Sequence, residues 1–306
     1  MAPWESFDIT FSFSNNPYSV ELVNQILANR KVLHNILFID RLLLFLGIES
    51  ASTLYPPKSI ETLRKLHRKV ISSSSPNHYK QSVIYYLLRD CQDASDTPRS
   101  LHFVQQCYLP QHYRLFIDGL WQLDGLEFRS ALKHLTEPSL IPTFPDEILY
   151  ALLTVSQDDA LAVAYYISVS PPLTSSKVLF AYFTMLCRTR LALAFDFTRK
   201  QPISTRHALV DQMIISVLSI KQNEIRTENA MRLVNLPFDE TEAEWFEDCL
   251  LRGKAKDFFG ARETVLMRRI SVGFLGDLGK LDSLGGRKIE GLNWDILRRT
   301  LQPSIS

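Results

Sequence analysis

The sequence predicts an all-α fold, an irregular α-solenoid of stacked helical hairpins, and three observations predict it. The first is the stretch Leu109 to Leu140, which reads as a helical hairpin. Tyr113, Phe116, Ile117, Leu120 and Trp121 recur at helical spacing and describe one apolar stripe. Asp124-Gly125 should end that helix, with Gly125 taking the left-handed conformation that glycine adopts without steric cost. Phe128, Ala131, Leu132 and Leu135 repeat the i, i+3, i+4, i+7 pattern, and Pro138 closes the unit. The second observation is size: two helices this short cannot bury both stripes by themselves, so they need stacked neighbours. The third is punctuation. Proline-marked breaks recur about every 25 to 35 residues, without a sustained strand-and-turn series or a strict repeat consensus.

Taken in order, the chain starts with Phe7, Ile9, Phe11 and Phe13 alternating with polar residues, a period of two that predicts an extended arm. From Ser19 the pattern is helical. Val32 to Ile48 is the longest apolar run, and His34, Asn35, Asp40 and Arg41 interrupt it short of the roughly 20 residues that span a bilayer. It reads as a buried helix. Pro56-Pro57 breaks the pattern, Ser59 offers a cap, and Leu63, Leu66 and Val70 share the next face. Ser72 to Pro76 reads as a loop, and Val83, Tyr86 and Leu87 mark another helix. After the hairpin, Pro145-Asp146 opens a helix carrying Ile148, Leu149 and Leu152. Asp158-Asp159 starts another, where acidic groups meet the positive end of the helix dipole. Thr174 to Ser176 launches Val178, Tyr182 and Leu186. Ser204 or Thr205 should cap a helix with Leu209, Met213 and Val217. Asp239 to Asp248 forms an acidic first turn around Trp245 and Phe246, and Lys254 to Arg269 should be a final helix. Beyond Ile270 glycine becomes frequent, and Trp294, Ile296, Leu297 and Leu301 pattern as a short docking helix at the end of a Gly-rich tail. The organisation is therefore an arm and first helix over 1–31, a helical domain over 32–270 and a tail over 271–306.

Composition narrows the function classes. Hydrophobic residues make up 46% and charged residues 22%, which excludes disorder along the whole chain. With 34 basic against 33 acidic residues the net charge is +1, so no global field favours nucleic acid or an anionic membrane. Cys91, Cys107, Cys187 and Cys249 are scattered without a C-x-x-C pair, and no basic start with an apolar block marks a secretory signal. Reduced, mostly buried thiols in an intracellular chain are the expectation.

Motifs for chemistry are missing. His102, Cys107 and His112 are five residues apart, and on a helix five residues advance about 500°, so neighbours diverge by roughly 140°. There is no G-x-S-x-G, no Walker loop and no H-E-x-x-H. Gly273-x-x-Gly276-x-x-Gly279 is not the dinucleotide spacing. The expectation is a chain without catalytic, cofactor-binding or metal-binding residues.

The hairpin motif W-x-L-D-x-x-x-F-x-x-A-x-x-x-L (Trp121, Leu123, Asp124, Phe128, Ala131, Leu135) is followed by Thr136 to Leu149, with Pro138 and Pro145, and by Ala160 to Leu179. In this order and separation the segments resemble the ELYS domain, the helical domain of the nucleoporin ELYS and its short fungal relatives. The resemblance runs from about Val32 to about Arg269. It implies a scaffold component of the nuclear pore complex at the nuclear envelope, with nucleoporins of the Y-shaped outer-ring subcomplex as partners and a part in pore assembly. Animal ELYS proteins also carry a β-propeller and AT-hooks. No R-G-R-P occurs here, so the resemblance does not extend to chromatin binding. Two other classes stand beside it: a helical adaptor of another coat or trafficking complex, which would share every physical feature above, and an enzyme without a recognisable motif, which would need a converging polar cluster that these motifs do not supply.

In such a stack the hairpin stripes hold the core while arms and ends dock. Trp121 is expected inside, where Trp121→Ala would cost about 3 to 5 kcal/mol as a core truncation. Candidates for partner contact are Phe7, Phe11 and Phe13 of the arm, Trp245 and Phe246 of the acidic segment, and Trp294 and Leu297 of the tail.

Overall fold

Helix starts are set by a few short polar side chains and by prolines. Ser19, Ser59 and Asp158 each accept a bond from a first-turn amide, those of Leu22, Thr62 and Ala160. Asp239 and Glu242 form a reciprocal capping box. Pro76, Pro110 and Pro202 stand immediately before helices and offer their carbonyls to the first helical amides. Pro202 therefore does what was expected of Ser204 or Thr205, and the helix begins at Ile203.

The computed structural model describes residues 2–13, 16–91, 99–141, 143–221 and 224–273. Among them the chain forms one 3-10 turn, seventeen α-helices and no strand. The all-α expectation holds. Packing divides the chain into two compact units at Val178, inside α12.

The first unit contains the 3-10 turn Pro3–Glu5, then α1 (Phe7–Thr10), α2 (Val20–Val32), α3 (Phe38–Phe45), α4 (Ala51–Leu54), α5 (Ile60–Ser72) and α6 (Asn77–Asp90). It continues with α7 (Arg99–Cys107), α8 (Gln111–Asp124), α9 (Phe128–Leu135), α10 (Pro145–Thr154) and α11 (Asp159–Val169). α6 is buried on every side from Ser82 to Leu88, which marks it as the central helix. α8 and α9 form the most extensive helix pair.

The second unit holds most of α12 (Ser176–Thr189), then α13 (Leu191–Arg199), α14 (Ile203–Leu218), α15 (Glu224–Val234), α16 (Glu240–Leu251) and α17 (Ala261–Ser271). α14 is its centre, burying Leu209, Val210, Met213, Ile214, Val217 and Leu218 against α13, α15 and α16. Arg199 grips Glu242 of α16 with two bonds of 2.8 and 3.2 Å and reaches the Pro237 carbonyl. Arg268 of α17 donates to the carbonyls of Val234 and Leu236.

Three expectations are corrected. Val32 to Ile48 is not one helix: α2 stops at Val32, His34 and Asn35 take left-handed backbone angles, and α3 runs only from Phe38 to Phe45. Asn35 suits that corner, since short polar side chains tolerate it, and its amide closes α2 on the Arg30 carbonyl. The final helix starts at Ala261 rather than Lys254, after a run of turns ending at Gly260 with φ +77°. The start of the chain is no extended arm. Phe7 to Thr10 is a helical turn, and Phe7 and Phe11 are buried against α5. Their rings stack at 5.3 Å and each meets His67 edge-on at 5.7 Å. Packing wins over the period-two pattern because one helical turn puts i and i+4 on the same face.

Candidate functional site

The helices of the first unit converge on a polar knot built from aspartates and tyrosines. Asp124, the last residue of α8, sits 6% exposed at the start of α3. Its carboxylate accepts from the amides of Phe38 at 2.7 Å and Ile39 at 3.0 Å, two first-turn donors of α3 that the helix itself leaves unpaired. Tyr86 of α6 donates its hydroxyl to the same carboxylate at 2.8 Å, and Asn29 of α2 donates to the Asp124 carbonyl at 2.9 Å. One side chain thus caps a helix 86 residues away in sequence and joins three helices, and the carbonyl of the same residue adds α2.

Asp40 completes the α3 start by accepting the Leu37 amide at 2.9 Å. It also takes a two-point grip from buried Arg30, at 2.7 and 3.0 Å, while Arg30 reaches the Tyr55 carbonyl. Beside it the Asp90 carboxylate accepts three donors: Tyr18 Oη at 2.8 Å, Tyr55 Oη at 2.9 Å and Trp121 Nε1 at 2.8 Å. Burial pushes Asp124 up to about 7 and Asp90 up to about 6, against the pull of their donors. Burial likewise raises the Tyr18, Tyr55 and Tyr86 hydroxyls, which stay protonated as donors. These carboxylates are occupied by the protein's own donors, so the knot fastens helices and does not present a base to a ligand.

A fourth aspartate works the same way further along. Asp146 near the start of α10 accepts from the Leu173 amide at 2.9 Å and from the Thr174 amide and hydroxyl, both at 2.7 Å. Beside it lies a cleft of about 320 Å³ lined by His34, Arg41, Glu147, Tyr150 and Lys177. Its charged groups are engaged locally: Lys177 lies over the Tyr150 ring at 4.6 Å, and Arg41 meets Glu147 at 3.8 Å. Among the described residues no group of three or more His, Cys, Asp or Glu is arranged to hold a metal, and no helix is long and apolar enough to cross a membrane.

A family model described as ELYS, nuclear pore complex assembly, matches residues 36–253. The chain belongs to the ELYS family. It is similar to the uncharacterized protein ely5 of Schizosaccharomyces pombe (strain 972), 31% identical over 262 residues that cover 84% of this chain and 83% of ely5. The ELYS match begins at the corner before α3 and runs through both units. Asp40, Tyr55, Tyr86, Asp90, Trp121 and Asp124 lie within it, whereas Tyr18, Asn29 and Arg30 precede it.

The structure places the ELYS-motif residues as follows. Leu123, Ala131 and Leu135 are buried between α8 and α9, with Asp124 in the knot. Phe128 and Pro145 are half-buried and Pro138 is exposed. Trp121 is half-buried too, against the expectation of a core position. Its indole N–H holds Asp90 while Arg89 lies 4.6 Å from its ring. Gly125 is not left-handed (φ −77°), because the turn places that conformation one residue later, at Leu126 with φ +63°. The amides of Leu126 and Glu127 return to the carbonyls of Leu123 and Gln122, the paired bonds of a Schellman cap.

Of the candidates for partner contact, Phe7, Phe11 and Phe246 are core residues. Phe13 is half-buried under Arg99, whose guanidinium lies 4.3 Å from the ring, and Trp245 is half-buried and stacked on His207 at 4.8 Å. Trp294 and Leu297 lie outside the described residues. Sequence reasoning missed an aromatic ladder on the first unit. Phe45 of α3 meets Tyr79 of α6 at 5.1 Å, His78 stacks on Tyr113 of α8 at 4.8 Å, and His112 follows at 4.3 Å. Phe45 is 53% exposed and His112 is exposed. These rings are spread over 68 positions of sequence (Phe45 to Tyr113), and no local pattern joins them.

Proposed function

We propose that this chain is a structural subunit of the nuclear pore complex, held at the nuclear envelope by nucleoporins of the Y-shaped outer-ring subcomplex and supporting pore assembly. The observation that carries the reading is the ELYS match, continuous over residues 36–253 and through both helical units. The rest of the molecule suits it. Carboxylates that could serve as acids or bases fasten helices instead, which favours a scaffold over an enzyme. Charge balance favours protein partners over DNA.

The docking surface of this reading is the ladder Phe45, Tyr79, His78, Tyr113 and His112. Aromatic groups on rigid helices give large contact area at low entropic cost, and they are enriched where interfaces carry their energy. Phe13 and Trp245 serve as secondary contacts. The test is imaging of the tagged chain at native abundance in its own cells. A nuclear rim that coincides point by point with an outer-ring nucleoporin is the expected result, and a diffuse or vesicular distribution overturns the reading.

A further inference from the structure

The first unit holds a cavity of about 330 Å³ that the pore reading does not use. Phe116 of α8, Leu135 of α9, Leu140 and Ile148 of α10 give it apolar walls. Tyr165 of α11 lines it too, with only 1% of the residue exposed. The other large buried tyrosines of this unit all have partners: Tyr18, Tyr55, Tyr85 and Tyr86 each donate their hydroxyl to an aspartate. Among the described residues none bonds to the Tyr165 hydroxyl. A polar group that is buried at a cavity wall with its hydrogen-bonding capacity unused calls for a ligand atom.

We propose that this cavity receives the side chain of a lysine carried by a partner protein, with the Tyr165 hydroxyl accepting a hydrogen bond from its ammonium. Charge argues for a cation. Leu135 and Thr136 bring the C-terminal end of α9 to the cavity, and Ser168 and Val169 bring that of α11. Both are the negative ends of helix dipoles. The one positive end nearby, that of α10, is offset by Asp146 and Glu147 in its first turn. Burial and those two carboxylates push the Tyr165 hydroxyl up from its ordinary range, so the potential where the ligand would sit is negative. Glu137 at the rim is exposed, and it is the one charged residue among the described lining. Size and shape argue for lysine. The cavity lies at the small end for ligand sites, so it suits one long side chain better than a cofactor. A four-carbon stem can lie along Phe116, Leu135 and Ile148 while its compact ammonium meets a single hydroxyl acceptor and keeps some water. An arginine fork seeks a paired carboxylate acceptor, which the cavity wall does not offer.

The test titrates full-length protein, 13C-methyl-labelled at isoleucine, with N-acetyl-lysine N-methylamide. The proposal expects a saturable shift of the Ile148 methyl signal with half-saturation on the order of 1 mM, ordinary for a ligand of this size. Signals of Ile84 and Ile214, both in helix cores, stay in place and report an intact fold. The norleucine analogue keeps the stem without the charge and should bind at least about tenfold more weakly. Tyr165→Phe should weaken lysine binding by a similar factor and leave the unfolding midpoint unchanged, because the lost hydroxyl has no partner in the fold. Glu137→Gln should weaken it about two- to threefold. No saturable shift, equal binding of the norleucine analogue, or wild-type affinity in Tyr165→Phe each overturns the proposal. Butylammonium that binds at least about tenfold tighter than the capped lysine also overturns it, since the occupant is then a free amine. The experiment needs no nuclear pore component, so its outcome is separate from the fate of the pore reading.

Discussion

Asp90 is a carboxylate that must accept three hydrogen bonds in a setting that favours its neutral form. With a folded pKa of about 6 against about 4 in an unfolded chain, the folded state binds the proton more tightly between those values. Its contribution to stability is therefore complete below pH 4 and is lost as pH rises through 6. His67 works the other way. Burial lowers its pKa, so its contribution is lost as pH falls. Comparing wild type with Asp90→Asn separates the two, because the amide keeps an oxygen for the Trp121 N–H and an NH2 that the Tyr18 and Tyr55 hydroxyls can accept from. Urea unfolding should find the variant gaining roughly 1 kcal/mol on the wild type between pH 5 and 7.5; parallel pH curves would refute the assignment. Trp121→Phe removes one of the three donors and should cost about 1 to 3 kcal/mol at neutral pH by the same measurement. That cost comes from a hydrogen bond to a carboxylate, and an unchanged midpoint would mean that the bond is not made. Little of this was legible in the sequence. Trp121 and Asp124 stood out as motif residues, but Tyr18 and Tyr55 meet Asp90 from 72 and 35 positions away. An aspartate at the end of an apolar run such as Val83 to Leu88 is the one local sign of a half-buried carboxylate held by side-chain donors.

Elements were far more legible, because helix periodicity and caps are local. The stripes of α8 and α9 and the caps at Ser59 and Asp158 were readable in advance, each depending on neighbours within four residues. Errors fell where a distant contact overrides the local pattern. The first phenylalanines fold into a turn because His67 and α5 offer them a core. The break at Leu33 to Leu37 holds because Asp124 and Asp40 supply the amide partners that a new helix start requires. Gly119 shows why the hairpin packs so closely. A Cβ there would sit 2.5 Å from Leu135 Cγ, so α8 and α9 touch where α8 has no side chain. Gly119→Ala should lower stability by about 1 to 3 kcal/mol through overpacking. Leu135→Ala alone should cost about 2 to 5 kcal/mol. The double variant should cost clearly less than the two together, since the truncated leucine makes room for the methyl. Strict additivity in a denaturation cycle would show that the helices do not meet at this point.

At the scale of the whole molecule, helical class and family were legible from the order of motifs, and the ELYS match agrees with both. The division at Val178 was not, because helix punctuation does not tell which hairpins share a core. The aromatic ladder was hidden for a related reason: it takes rings from α3, α6 and α8, which only the folded first unit brings side by side. The central claim is that this ladder holds the chain on the outer ring of the pore. Affinity capture of tagged full-length protein from its native cells, followed by mass spectrometry after a high-salt wash, tests it most directly when the wild type is run beside Phe45→Ser/His112→Glu. Both replaced residues are exposed, so the variant should keep the wild-type unfolding temperature. The account predicts near-stoichiometric recovery of the Y-shaped subcomplex with the wild type and at least about a tenfold loss with the variant. Equal recovery with both proteins would contradict the ladder as the docking surface, and recovery of vesicle-coat subunits in place of the Y-shaped subcomplex would contradict the pore assignment itself.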